Sequence, residues 1–320
     1  MLSLLSLGSR FASLSHLQWL INLRLNYAAV SSGLVLVGLF WNRFVGVDWR
    51  YAALFLGFFC VNVFGFVVND FYDATYDAQE SRKRERNVFC GATTRQLGTV
   101  VLYASLGASI VLGTIVSPTV LILVLLSDVL AFVYSAPPIR LRDRIYWDWL
   151  FVFLWKGIIV FTGYFYIYGL TWPKDPFVMS SLVVLLVPSL ISQIDNQLRD
   201  FSVDYVTHIP NTVQRAGARA ALSLNRLLAV LFYAFSLAFC AWFGLYRTLL
   251  LVLLNVALYR FVKPGKTRYV VELANVWIVI LFLERSAAAF AFPMRIIASV
   301  WIVAMVGVAL IHVKRTGMFD

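Results

Sequence analysis

The chain has 320 residues, of which 61% are hydrophobic and 13% charged, with a mean hydropathy of +0.80. A soluble domain is about half apolar and about a quarter charged, so a water-soluble fold of this length is excluded. The 27 Lys+Arg against 16 Asp+Glu give a net charge of +11; these basic residues lie between apolar runs, which argues against a nucleic-acid stripe and for the cytoplasmic loops of a polytopic membrane protein.

Residues 1–17 read as an interfacial segment, with Leu2, Leu5, Phe11 and Leu14 among its apolar positions and no cleavable signal pattern. One transmembrane domain is expected over 18–313, followed by an exposed or cytoplasmic tail at 314–320. A spanning helix needs about 20 mostly apolar residues. Such runs occur near 18–41, 51–69, 98–116, 118–135, 149–170, 177–195, 222–245, 269–290 and 294–312, with a shorter one at 247–262. The expected fold is therefore all-α, with nine transmembrane helices, or ten if the short run also spans. Three cysteines (Cys60, Cys90, Cys240) make no disulfide framework. Three scattered histidines (His16, His208, His312) have no zinc-ligand spacing.

Basic residues orient the chain. The loop after the second run carries Lys83, Arg84, Arg86 and Arg95, the loop after the fourth Arg140, Arg142 and Arg144, and the loop after the sixth Arg199, Arg215 and Arg219. The opposite connections are short and poor in charge, so the three polar loops are expected on the cytoplasmic side. Lys263, Lys266, Arg268, Lys314 and Arg315 join that side if 247–262 spans, which favours ten segments.

Three stretches at that side carry chemistry. The first is Asn69-Asp70-Phe71-Tyr72-Asp73-Ala74-Thr75-Tyr76-Asp77. Its carboxylates stand at i, i+3 and i+7, on one helix face, where they repel unless a cation lies between them. A hard ion such as Mg²⁺ accepts a few carboxylates, keeps some water and takes substrate phosphate oxygens. A merely solvated acidic helix end fits poorly, because Phe71, Tyr72 and Tyr76 interleave the acids beside a membrane span. The second stretch is Arg199-Asp200-Phe201-Ser202-Val203-Asp204, with Asp200 and Asp204 at i, i+4 and Arg199 beside them. The third is Tyr134-Ser135-Ala136-Pro137-Pro138-Ile139-Arg140-Leu141-Arg142, where two prolines end a span and two guanidinium groups follow, suited to binding phosphate oxygens in pairs. Two more polar residues sit inside apolar runs. Lys156 is either a cavity charge or a snorkelling side chain, and Asp128 either faces a cavity or pairs with an intramembrane cation.

These three stretches, in this order over roughly 20–215, resemble the signatures of the UbiA-type intramembrane polyprenyltransferases. The resemblance implies nine helices enclosing a central cavity capped by cytoplasmic loops. It implies two Mg²⁺ ions, held by Asp70, Asp73 and Asp77 with Asn69 and by Asp200 and Asp204. Asp70, Asp73, Asp200 and Asp204 would be the catalytic carboxylates. Tyr134, Arg140 and Arg142 would bind the diphosphate of a polyprenyl donor, and Arg86, Lys156 and Arg199 are further candidate substrate-binding residues. Arg142 stands where the family usually has lysine, and Val88 where many members have a proline that shapes the loop over the site. His208 and Pro210 depart from the run common after the second acidic signature, while Asn211-Thr212 keeps its end.

The implied activity is Mg²⁺-dependent transfer of an isoprenyl chain to a hydrophobic acceptor. An aromatic quinone precursor is favoured, with a carotenoid, an ether-lipid glyceryl phosphate or a tetrapyrrole as alternatives. A cation-coupled transporter is disfavoured, because it requires charges near the bilayer midplane on broken helices. The partners implied are the donor, the acceptor and the bilayer.

Overall fold

The computed structural model describes residues 23–41, 48–206, 210–259 and the positions 277 and 281. The interfacial segment 1–17, nearly all of the run 269–290, the run 294–312, the tail, all three histidines and the basic residues expected beyond 260 lie outside the described residues. Among those described, every regular element is helical. They are α1 (Leu25–Ser32), α2 (Leu34–Phe40), α3 (Arg50–Asp77), α4 (Ser81–Arg86), α5 (Ala92–Val116), α6 (Pro118–Ser135), a 3₁₀ turn (Leu141–Asp143), α7 (Trp147–Tyr168), α8 (Pro176–Val206), α9 (Thr212–Ala216), α10 (Ala218–Trp242) and α11 (Tyr246–Tyr259). Six of these (α3, α5, α6, α7, α8 and α10) are long and apolar enough to cross a membrane.

Local chemistry sets the boundaries. Ser117 caps α6 by accepting a hydrogen bond from the Val120 amide, with Pro118 in the first turn, where a missing N–H costs nothing. The cis Pro137–Pro138 pair follows the end of α6. The first apolar run, expected as one span over 18–41, is interrupted at Gly33. There Ser32 Oγ donates back to the Ala28 carbonyl at 2.6 Å, and the Gly33 carbonyl accepts an i to i+3 bond from the Leu36 amide in the first turn of α2. The run 247–262 forms α11, a helix of 14 residues.

Helix α3 packs against α1, α5 and α6. Helix α7 packs against α2, α6 and α8, and α10 lies between α8 and α11. Leu39, Leu54, Phe58, Ile159, Leu185 and Ile191 are fully buried in the largest core cluster, which draws residues from eight helices. Large apolar side chains point outward instead, among them Val100, Val111, Ile122, Val129, Leu154, Val230 and Leu253. A soluble monomer does not expose apolar faces of this extent; lipid covers them without penalty. At one crossing α2 and α7 meet backbone to backbone. A Cβ built on Gly38 would lie 2.2 Å from the Val160 carbonyl oxygen, and one on Gly163 2.0 Å from that of Val35.

Candidate active site

A cavity of about 500 Å³ opens among α1, α3, α4, α6, α7 and α8. Its lining has two layers, and helical rise accounts for both. On α3 the positions 62, 66, 69, 73 and 77 share one face, and on α8 the positions 189, 193, 196, 200 and 204 do the same. Asp73, Asp77, Asp200 and Asp204 therefore form a charged layer with Lys83, Arg86, Arg142 and Arg199. Eleven residues back along each helix, about 16 Å at 1.5 Å per residue, Asn62 and Ser189 belong to an uncharged polar layer with Ser31 and Ser192. Lys156 reaches the cavity from α7, along with the rings of Phe151 and Trp155, while Tyr27 and Phe66 contribute rings from α1 and α3.

The first acidic cluster lies on the last two turns of α3. The helix runs on past the apolar residues that define the span, so these acids are positioned by a rod and not by a loop. Arg24 donates to Asp70 at 2.5 Å and stacks over the Phe66 ring. Asp73 accepts from Arg140 at 3.2 Å and is paired with Arg142. Asn87 clips the following segment to the helix end, with its amide donating to the Asp70 carbonyl at 2.8 Å and to Asp77 Oδ2 at 2.9 Å. The segment around Val88 holds its shape without the family's proline. Thr94 Oγ1 donates to the Val88 carbonyl at 2.6 Å, and the Val88 and Phe89 side chains are buried against Val63 and Val67. Asn69 donates to Ser135 Oγ at 3.5 Å.

The basic element folds over this cluster. Arg140 lies 4.8 Å above the Tyr76 ring and also meets Asp143 at 2.9 Å. Both Arg140 and Arg24 adopt left-handed backbone conformations (φ 42° and 55°), which non-glycine residues rarely take. Burial works against the Arg142 charge, but Asp73, Tyr134 and Asp143 more than offset it and hold the guanidinium above its ordinary pKa. Arg86 is pushed the other way, chiefly by burial and then by the nearby Arg24. Tyr134 stacks on Phe151 with ring centroids 4.0 Å apart and accepts from Gln193 at 3.4 Å.

The second acidic pair is held more lightly. Asp200 lies 3.7 Å from Lys83 and 3.5 Å from Arg199. Asp204 accepts from the Asn211 amide at 2.8 Å. Burial, reinforced by Asp200, pushes its carboxyl up to about 6. Asp128 is not among the residues lining this cavity and pairs with no cation among the described residues: it is buried and accepts from Ser109 Oγ at 2.8 Å, α6 to α5. Sequence reasoning missed Asn87 and Asp148 as site-supporting residues. Asn87 carried no signal beyond following a basic run, and Asp148 looked like an ordinary acid in the first turn of a helix.

Among the described residues no three carboxylate, thiol or imidazole groups are gathered closely enough to hold an ion unaided. The donor set nonetheless suits a hard cation. Four carboxylates and the Asn69 amide line one cavity, as oxygen ligands for Mg²⁺ that leave positions for water and phosphate.

The UbiA prenyltransferase family matches residues 31–284 of the chain. Solved structures agree in fold. A UbiA homolog from Archaeoglobus fulgidus, bound to GPP and Mg²⁺, superposes with a TM-score of 0.57 at 15% identity, over 91% of this chain and 99% of that one. The apo structure of a UbiA homolog from Aeropyrum pernix K1 gives 0.64 at 15% identity, over 82% and 98%. No curated protein sequence matches the chain.

Proposed function

The chain belongs to the UbiA prenyltransferase family, and from that premise we propose that it transfers an isoprenyl chain from a polyprenyl diphosphate to a hydrophobic acceptor inside the membrane. The observation that carries this reading is the meeting of two acidic helix ends and a basic turn at one end of a cavity whose other walls are rings and uncharged polar groups, with Lys156 among them. Asp70, Asp73 and Asp77, with Asn69, would hold one Mg²⁺, and Asp200 with Asp204 a second. When bound, the metal neutralises negative charge on a departing diphosphate.

The remaining work falls to side chains. Arg140 and Arg142 bind diphosphate oxygens and hold the leaving charge, assisted by Arg86, Arg199 and Tyr134. Lys83, Arg140 and Arg142, which now pair with these carboxylates, would be available to phosphate oxygens where a metal took the carboxylates. The allylic group left behind is a carbocation, which the rings of Tyr27, Phe66, Phe151 and Trp155 can face in a chamber that keeps water away. Those rings also favour a planar acceptor, so an aromatic quinone precursor is the first to test. Lys156 lies in the same chamber. The charged layer faces the cytoplasm by the basic bias of its loops.

The test is diphosphate release from the reconstituted protein given Mg²⁺, geranylgeranyl diphosphate and a panel of acceptors. Release stimulated by one acceptor and lost with EDTA supports the reading and names the acceptor. Folded protein that binds Mg²⁺-diphosphate yet never releases it with any acceptor overturns it.

A further inference from the structure

Asp148 stands in the first turn of α7 with no exposed surface. Its carboxylate is filled by neutral donors. Oδ1 accepts from Thr212 Oγ1 at 2.5 Å and from the Trp149 amide at 2.9 Å; Oδ2 accepts from the Thr212 amide at 3.1 Å and from Gln197 Nε2 at 2.5 Å. Thr212 Oγ1 also accepts from the Tyr146 amide at 2.7 Å, at a residue whose φ of 68° turns the basic segment into α7. One residue before Thr212, Asn211 caps α9 through its Oδ1, which accepts from the Gln214 amide, while its amide group donates to Asp204.

A buried anion is costly unless its acceptor sites are used; among the described residues Asp148 has no cationic partner, and its neutral donors join three elements. The entry to α7, the face of α8 at Gln197 and the 211–212 segment are tied at a single carboxylate. We propose that Asp148 is a positioning residue: through Thr212 and Asn211 it fixes the carboxylate of Asp204, and through Tyr146 it fixes the basic turn opposite. This rests on the reading of Asp204 as a cation ligand. Groups that orient a ligand side chain typically change metal affinity by about 10- to 100-fold when removed.

The experiment measures Mg²⁺ affinity by isothermal titration calorimetry of the purified full chain in detergent, with inorganic diphosphate present. Asp148→Asn keeps the shape but turns an acceptor into a donor facing Gln197 or Thr212, and should weaken Mg²⁺ binding about 10-fold. Thr212→Val should do the same and Thr212→Ser should restore binding to near the parent value. The double variant Asp148→Asn/Thr212→Val should be no weaker than either single one, since both cut the same tie. Folded Thr212→Val with parental Mg²⁺ affinity overturns the proposal, as does full additivity in the double variant; the threonine pair decides the matter even where Asp148→Asn does not fold. Asp204→Asn is the control for the underlying reading. Loss of affinity there with none in Thr212→Val defeats only the positioning role, whereas no loss in Asp204→Asn defeats the ligand assignment itself.

Discussion

The two acidic helix ends look alike in sequence and differ in how they are held. On α3, Asp70 and Asp73 are buried and each is met by guanidinium, Arg24 on one and Arg140 with Arg142 on the other. On α8, Asp200 is one-third exposed with longer contacts to Lys83 and Arg199, and Asp204 is held by an amide. Asp70 and Asp73 are thus neutralised by full charges carried on other elements, whereas Asp200 has longer, partly solvated cationic contacts and Asp204 a buried neutral amide. A carboxylate already balanced by arginine keeps its place without a metal. One balanced by an amide depends on the segment carrying that amide.

Substitutions can break or sharpen that contrast. Asp70→Ala and Asp200→Ala are both expected to lower acceptor-dependent diphosphate release by about 10³-fold, the scale on which charge-stabilising groups act; near-parental release in either would remove that carboxylate from the site. Stability should separate the two. Asp70→Ala leaves Arg24 largely buried and unpaired, a loss of about 3 kcal/mol, whereas Asp200→Ala breaks only a half-solvated contact worth below about 1 kcal/mol. Thermal unfolding in detergent reads the difference, and equal losses would erase the distinction drawn here. Asn211→Ala should weaken Mg²⁺ affinity about 10-fold, as measured by Mg²⁺ titration of diphosphate release, and cost about 1 kcal/mol of stability through the lost cap of α9. The smallest effect belongs to Lys83→Gln, which removes a cation competing for Asp200. Half-saturation should move to lower Mg²⁺, by no more than about fivefold for a pair of this exposure.

Much of this was legible beforehand, and the reasons are physical. Spans announce themselves by continuous apolar length, so Pro118–Ser135 coincides with its run, and Pro118 and Pro137 mark its ends. The acids of α3 and α8 could be assigned to helix faces because spacing is conserved through a continuous helix, and both helices do extend beyond their apolar runs. What spacing cannot convey is contact between elements distant in the chain. Arg24 meets Asp70 across 46 residues, and Asp148 meets Thr212 across 64. Either residue, read alone, is an ordinary charge near a helix start. Asp128 was misjudged for a related reason: its partner is a neutral serine on the preceding helix, and a search for a cation passes over it.

The crossing of α2 and α7 at Gly38 and Gly163 has a bearing on how the cavity can move. With no side chain on either helix at that point, the two backbones are the contact surface, and neither can roll on the other as helices separated by flexible side chains do. Helix α7 carries Phe151, Trp155 and Lys156 along the cavity wall, so that wall is keyed in rotation to α2. On the other side α4 is joined across the charged layer by the Lys83–Asp200 contact, a pair that gives more readily than two main chains in contact. The same crossing also binds the two positions into one heritable unit: a side chain gained at either glycine is refused by the other helix's main chain, however well the lipid-facing surface around it tolerates change.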